Sequence, residues 1–435
     1  MEYGLIGQRL DYSFSKEIHA LFGDYPYEML EFPPEELEDF LRRRDFKAVN
    51  VTIPYKQAVI PHLDRVDDLV KRIGSVNVIV NRDGVLCGYN TDYPAMISLI
   101  KRAGVRMLGK KVLIAGSGAL SNTASAAASF FGASEIHRVS RTGKRGSLTY
   151  GQAAAQHEDA DIWINTTPCG MNPSLGFAPF DIEVYPYLTG VIDAVYNPLR
   201  SFIVVEAQER GIRAFGGLYM LVAQAKYSAE LFTDQKIQET VIEDVYQKML
   251  SAKRNLVLIG MPGSGKTTLG KRAAARLGMD FVDVDDEIIK KIKMPIAEYF
   301  AENGEKSFRD VESECIREAA SLQNTVIATG GGAVLRKRNM ELLKGNGTVY
   351  FINRPIDFLV TSDDRPLSSN REALEKRFSE RYGFYMEEGE RMLAANQDIG
   401  SNTDSIIRDF MEKEFHMEPK PARKAAEIKT EGDPV

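Results

Sequence analysis

Gly260-Met-Pro-Gly263-Ser264-Gly265-Lys266-Thr267-Thr268 is the stretch that decides how the second half of this chain is read. Ahead of it, Asn255-Leu-Val-Leu-Ile259 is a short continuous apolar run, the pattern of a buried strand; behind it, Thr268 to Leu277 reads as a helix stopped by Gly278. In a strand–loop–helix unit of this kind, glycines let backbone N–H groups curl around phosphate oxygens. Lys266 then brings a charge to the β/γ-phosphates and the Thr267 hydroxyl reaches Mg²⁺. Gly263, Ser264, Gly265, Lys266, Thr267 and Thr268 are the expected ATP-binding residues. The alternative is a glycine-rich turn with no ligand.

Strand-like runs alternate with helical stretches on both sides of this loop, so both halves are expected to be α/β with largely parallel sheets. The 435 residues suit two or three domains. A helical pattern from about Asp234 to Ala252 ends just before the strand of the loop, which puts the main boundary near residue 252. The link is too short for a free tether, so the halves are expected to touch. Within the first half, a second nucleotide-type unit starts near residue 94. The expected division is 1–93 with 211–252, then 94–210, then 253–412, with 413–435 polar, Pro-containing and read as a disordered tail.

A net charge of −6 with mixed signs along the chain gives no nucleic-acid surface, and no apolar run approaches a membrane span. The three cysteines lie far apart and make no disulfide framework, and the five histidines show no metal spacing. A cytoplasmic enzyme acting on small molecules is expected.

In the first half, Lys111-Val-Leu-Ile-Ala115 leads into Gly116-Ser117-Gly118-Ala119, followed by a helix expected over Asn122 to Phe131. This is the setting for a pyrophosphate on a helix N-terminus. The next strand, Glu135 to Val139, ends in Ser140-Arg141-Thr142. A carboxylate there would suit the ribose 2′-OH of NAD; Arg141, with Lys144 and Arg145, suits a 2′-phosphate, which favours NADP. Polar clusters recur at other strand ends. Asn50, Thr52 and Lys56 alternate with apolar residues and are expected to share a face. Val76–Val80 and Val85–Cys87 form an expected hairpin, after which Asp92 falls at a helix start. Taken singly, each cluster reads more readily as a cap or a turn than as a binding site.

Together they resemble the shikimate dehydrogenase family across essentially the whole first half. The resemblance is carried by Gly4-Leu-Ile-Gly with Ser13, Ser15 and His19, Asn50-Val-Thr-Ile-Pro with Lys56, Gly74-Ser-Val-Asn77, Gly88-Tyr-Asn-Thr-Asp92, Asn165-Thr-Thr-Pro-Cys-Gly-Met171, Asp193-Ala-Val-Tyr-Asn-Pro198, and Gly216-Gly-Leu-Tyr-Met-Leu with Gln224. It implies a split α/β substrate domain with a Rossmann-type NADP domain. It further implies that Ser13, Ser15, Thr52, Asn77, Asp92, Tyr196 and Gln224 hold the substrate, that Lys56 and Asp92 are the catalytic pair, and that Gly217 belongs to the cofactor site. Tyr12 stands where the family usually has His, Lys16 where it usually has Pro, and the dinucleotide loop lacks one of the usual glycines.

Beyond the phosphate loop, Phe281-Val-Asp283-Val-Asp285 alternates, so Asp283 and Asp285 are expected on one face at a strand end, one for Mg²⁺ and one for a substrate hydroxyl. Both serve equally as helix-start residues. Arg309, Gly330-Gly331-Gly332, Arg365 and Arg381 add cations and a close backbone approach. In this order the set resembles shikimate kinase from about residue 254 to 400, implying a P-loop sheet like that of the nucleoside-monophosphate kinases. The resemblance implies Lys266, Thr267 and Asp283 at ATP and Mg²⁺, Asp285, Arg309, Gly331, Gly332 and Arg381 at shikimate, and Arg365 closing from the lid. The lid lacks the arginine normally stacked on adenine, with Phe358 near that place.

The combined expectation is one chain that reduces 3-dehydroshikimate with NADPH and then phosphorylates shikimate with MgATP. The alternatives are a dehydrogenase with a degenerate kinase fold acting as a regulatory module, and an NAD-dependent quinate/shikimate oxidant. Both catalytic sets are complete within their own halves, so each is expected to work without residues from the other.

Overall fold

The computed structural model describes residues 1–11, 13–144, 146–359, 371–412 and 415. Tyr12, Arg145, Arg365 and all of the expected tail except Phe415 lie outside the described residues.

Three α/β sheets follow one another along the chain. The first contains β1 (Tyr3–Gly7), β2 (Tyr27–Glu31), β3 (Ala48–Val51), β4 (Arg65–Val66), β5 (Val78–Arg82) and β6 (Val85–Tyr89), in the order β2-β1-β3-β5-β6-β4. β1 runs parallel to β2 and β3, while β5 is antiparallel to β3 and β6. The β5–β6 hairpin turns on Asp83 (φ 52°) and Gly84 (φ 85°), the positive pair a two-residue turn needs to match strand twist.

The second sheet contains β7 (Lys111–Ala115), β8 (Glu135–Ser140), β9 (Leu148–Thr149), β10 (Ile162–Asn165), β11 (Gly190–Asp193) and β12 (Arg213–Phe215). All neighbours are parallel, in the order β12-β11-β10-β7-β8-β9. The order reverses between β7 and β10, and a doubly wound sheet opens its ligand crevice at that switch point, outside the strand C-termini. β12 pairs with β11, so Arg213–Phe215 belong to this sheet, although the sequence reading groups residue 211 onward with the first unit. The helix Asp92–Ala103 runs across the expected division at residues 93 and 94.

The third sheet contains β13 (Asn255–Ile259), β14 (Asp280–Asp283), β15 (Thr325–Ala328), β16 (Gly347–Asn353) and β17 (Arg391–Ala394), all parallel, in the order β14-β15-β13-β16-β17. Every residue of β13 is buried, as its unbroken apolar run requires at the centre of a sheet covered on both faces. The helix Lys266–Leu277 after it ends at Gly278 in the left-handed conformation (φ 66°).

Between the second and third sheets, the helix Leu218–Thr233 returns to pack on Asp92–Ala103 and on the short helix Ser15–His19. The helix expected from Asp234 runs from Thr240 to Lys253 instead. Asp234 closes the preceding helix in the left-handed region (φ 54°), which no continuing helix adopts.

The two halves meet through buried charge. Arg200 is 2% exposed and donates Nε to the Lys344 carbonyl (2.9 Å), Nη2 to the Gly347 carbonyl (2.9 Å) and Nη1 to Glu390 Oε1 (2.8 Å). Lys344 Nζ bridges Glu209 of the first half and Glu388 of the second, 2.6 Å from each. Burial pushes the Lys344 ammonium down, but the two carboxylates outweigh it and hold it above its ordinary value. Leu175 of the first half joins the core of the second, and Phe415, assigned to the tail from sequence, is buried with the Arg200 guanidinium 4.5 Å from its ring. Glu209→Gln keeps an acceptor oxygen but removes one of the two carboxylate charges that face a buried cation. It is expected to cost about 1 kcal/mol and to lower the thermal midpoint of the second half by about 2–4 °C. An unchanged midpoint in calorimetry would show that the Glu388 charge is enough for Lys344.

Candidate active sites

Lys56 lies in the one-turn helix Tyr55–Ala58 after β3, and Asp92 opens the helix Asp92–Ala103. Lys56 Nζ donates to Asp92 Oδ2 at 2.6 Å, with the side chains 17% and 6% exposed. Asp92 does not cap its helix: its other oxygen accepts from Asn77 Nδ2 (3.1 Å). The same Asn77 amide donates to Thr91 Oγ1 (2.8 Å) and accepts from the Thr91 backbone N–H (2.7 Å). Both oxygens of the carboxylate are thereby fixed, and its ammonium partner is held at hydrogen-bond distance.

The shared face expected for Asn50, Thr52 and Lys56 does not form, because β3 ends at Val51 and the chain turns. Asn50 is buried behind the pair, accepting from Tyr27 OH (2.9 Å) and donating to Ser228 Oγ (2.8 Å), which lies 3.1 Å from Thr91 Oγ1. Thr52 is half-buried, with its methyl against Gly7 at the end of β1. Tyr27, Thr91 and Ser228 form the scaffold behind Asn77 and Asp92. Sequence gave no signal for Ser228, since it arrives from a helix 137 residues beyond Thr91.

Ser13 donates to Ser15 Oγ at 3.0 Å. Tyr196 comes to Ser13 from the loop after β11; burial pushes its phenol up, and the Ser13 hydrogen bond opposes that shift. Ser13 and Tyr196 therefore join the first and second sheets across their cleft. Gln224 is buried one turn before Ser228 on the same helix, its Nε2 donating to the Leu221 carbonyl (3.0 Å).

At the C-terminal end of β7, Gly116 has φ 122°, and a Cβ there would collide with Thr166 Oγ1. Gly118 has nothing within 4 Å of where a Cβ would stand and precedes the helix Ala119–Phe130, which starts three residues before the expected Asn122. A phosphate can approach this N-terminus backbone to oxygen, so the loop fits a dinucleotide. Arg141, Thr142 and Lys144 are exposed beyond β8. Ser140 is buried: its Oγ accepts from Gly143 N (3.1 Å) and meets Ser147 Oγ (2.7 Å), so it shapes the loop that presents them. Gly217 has no room for a Cβ beside the Ala194 carbonyl. Asp193, fully buried, is pushed up to about 7 by burial, against hydrogen bonds from Ser201 Oγ (2.5 Å), Val195 N (2.9 Å) and Asn165 Nδ2 (2.9 Å). It fixes the turn that carries Tyr196.

The fold also brings Glu135, His137 and His157 within 4.8 Å of one another, a grouping that sequence spacing did not show. Lys111 lies 3.4 Å from Glu135 and 2.8 Å from Asp159, so that carboxylate pair already has a cation.

In the second half, Gly260 (φ 148°), Gly263 (φ 76°) and Gly265 (φ 91°) take conformations that favour glycine. Lys266 Nζ donates to the Gly260 and Met261 carbonyls at 2.9 Å each, inside the loop. Ser264 Oγ is buried there without a hydrogen-bond partner. Thr267 Oγ1 donates to Asp283 Oδ2 (2.6 Å), the pairing of a hydroxyl and a carboxylate that suits a hydrated Mg²⁺. Thr268 is exposed in the first turn of the helix Lys266–Leu277. Asp283 and Asp285 do not share a strand face. β14 ends at Asp283, whose Oδ1 caps the helix Val284–Ile292 by accepting from Asp285 N (3.0 Å), and Asp285 is in the first turn of that helix.

Asp285 still reaches the triple-glycine segment: a Cβ on Gly330 would lie 2.6 Å from its Oδ1 and 3.1 Å from Glu312 Oε1. A Cβ on Gly332 would collide with the Arg309 guanidinium. Arg309 Nη1 donates to Glu312 Oε2 (2.7 Å), and burial pushes the Glu312 carboxyl up while Arg309 pulls it back. Arg381 Nη1 (3.0 Å) and Tyr385 OH (2.6 Å) both donate to the Gly331 carbonyl. Asp285, Arg309, Gly331, Gly332 and Arg381 are thus assembled around one backbone segment. Glu312 and Tyr385 were missed; their signal was helical spacing, three residues after Arg309 and four after Arg381. Arg365 lies outside the described residues.

Both halves of the chain resemble known proteins. The model for the shikimate dehydrogenase substrate binding domain matches residues 5–79, and that for shikimate kinase matches residues 262–412. A shikimate dehydrogenase (NADP(+)) of Clostridium perfringens is 32% identical over 265 residues, covering 57% of this chain and 97% of that protein. That of Halothermothrix orenii is 36% identical over 262 residues, covering 54% and 91%. Among solved structures, shikimate dehydrogenase 1 of Peptoclostridium difficile aligns with TM-score 0.54 at 31% identity over 57% of this chain and 98% of its own. A chorismate mutase/shikimate 5-dehydrogenase fusion protein from Clostridium acetobutylicum aligns with TM-score 0.53 at 30% identity over 57% and 96%.

Proposed function

This chain belongs to the shikimate dehydrogenase family and carries a shikimate kinase domain behind it, and from that premise we propose that it reduces 3-dehydroshikimate with NADPH and phosphorylates the resulting hydroxyl with MgATP. The observation that carries the reading is the part-buried 2.6 Å Lys56–Asp92 pair in a chain that also holds Thr267 on Asp283. The oxygen made by the first reaction is the nucleophile of the second. Three free cysteines and the two nucleotides suit a reducing cytoplasm.

NADPH, when bound, supplies the hydride, and Gly116, Ser117, Gly118 and Ala119 would hold its pyrophosphate. As the ketone carbon becomes tetrahedral, its oxygen takes a proton from Lys56 Nζ, and Asp92 holds that ammonium in place. Ser13, Ser15, Asn77, Tyr196 and Gln224 would bind the hydroxyls and the carboxylate. MgATP supplies the phosphoryl group to the second site, where Lys266 and Thr268 would hold the phosphates, and Thr267 and Asp283 the metal. Asp285 would orient the acceptor hydroxyl, and Arg309 and Arg381 the acceptor's carboxylate. The pairing of Thr267 with Asp283 beside the phosphate loop favours a working kinase over a regulatory module.

Separate assays of NADPH oxidation by 3-dehydroshikimate and of ADP formation from shikimate test the two reactions. Cofactor choice is tested by Arg141→Ala. Losing a charge-assisted contact of about 1.5–3 kcal/mol should raise the NADPH KM roughly tenfold or more and leave the NADH KM nearly unchanged. Equal loss for both cofactors would mean that Arg141 only shapes its loop.

A further inference from the structure

Arg354 stands at the end of β16, directly after Asn353, and was not singled out by any motif. Its Nη1 lies 3.5 Å from where a Cβ on Gly265 would stand, so the guanidinium sits against the phosphate loop at the N-terminus of the helix Lys266–Leu277. Its Nε is buried without a hydrogen-bond partner, and among the described residues it makes no ion pair.

The loop beside it carries the Lys266 ammonium, the positive end of the helix dipole and the N–H groups of a glycine-rich turn. The Asp283 carboxylate is engaged elsewhere, on the Thr267 hydroxyl and the Asp285 N–H. A guanidinium with a buried, unsatisfied N–H beside two other positive sources is unfavourable by itself. It becomes favourable when a polyanion lies across the loop, because arginine offers a planar fork that meets two phosphate oxygens at once.

We infer that Arg354 is a second phosphate cation of the nucleotide site, acting with Lys266 on the phosphate chain of a nucleoside triphosphate. This rests on the kinase reading of the second half and deepens it, because it says where nucleotide affinity comes from. Phe358, close to the place where a base-stacking arginine was missed, is 60% exposed and supplies no cation. With Arg354, affinity is concentrated on the phosphates instead of the base, which makes the site tolerant of the base.

The test uses the full chain with Arg354→Met, which keeps the length of the side chain without its charge, and Arg354→Lys, which keeps the charge without the fork. MgADP binding is followed by calorimetric titration, and KM values are measured for MgATP, MgGTP and shikimate. Arg354→Met is expected to weaken MgADP binding and to raise the MgATP and MgGTP KM values by the same factor, about tenfold or more. Shikimate KM and 3-dehydroshikimate reduction should stay within about twofold, and Arg354→Lys should recover part of the loss. Unchanged MgADP binding in both variants would overturn the inference, as would an equal loss for shikimate or an effect on MgATP alone. A wild-type chain that binds MgADP but leaves shikimate unphosphorylated would refute the proposed reaction, while the same titrations would still decide the role of Arg354.

Discussion

Lys56→Ala is expected to reduce 3-dehydroshikimate at least about 10²-fold more slowly than the parent chain, the scale of a lost general acid. The Lys56 ammonium is the cation bonded to Asp92, and the carboxylate is fixed on its other side by Asn77. Removing the amine leaves Asp92 in place and leaves the remaining polyol contacts intact, so substrate KM should change far less than kcat. Single-turnover mixing of 3-dehydroshikimate with NADPH separates the chemical step from release of products. Near-normal turnover in that variant would mean that the proton comes from another group.

Lys266→Ala is expected to lower phosphoryl transfer by about 10²–10³-fold, because one preorganised cation is lost where charge develops on the transferring group. The same variant should reduce 3-dehydroshikimate within about twofold of the parent rate, since the Lys56–Asp92 pair lies on elements of the first sheet and Lys266 on the third. A fall of more than tenfold in the dehydrogenase reaction would show that the two halves work as one unit. The interface makes this worth measuring. Arg200 and Lys344 bury charge between the halves, and Glu388 closes the helix Arg371–Glu388 that carries Arg381.

Sequence was most legible where a motif is local. The phosphate loop, its strand and its helix stand within two residues of where they were expected, because glycine conformations and an apolar run are properties of adjacent residues. The hairpin after Val78 was readable for the same reason. Errors arose where local alternation was extended past a turn. Asp285 was placed on a strand because Phe281 to Asp285 alternates, but Asp283 caps a helix and ends the strand. Lys56 was placed on the face of Asn50 although β3 stops at Val51. The division at residue 211 failed to see β12, only three residues long, which is identified by its pairing with β11 and not by its composition. Ser228 behind the Lys56–Asp92 pair, and Arg200 and Lys344 between the halves, depend on long-range packing. No window of sequence contains both members of such a pair. Arg354 belongs to the same class, since its neighbour Gly265 is defined by the sheet and not by the chain.

The proposed function is tested most directly by giving the purified chain 3-dehydroshikimate, NADPH and MgATP together and following both nucleotides and the organic product. The expected result is shikimate 3-phosphate, with one NADPH oxidised and one ATP converted to ADP for each molecule formed, and no ATP consumed when NADPH is left out. Oxidation of NADPH with accumulation of shikimate and no ADP would contradict it.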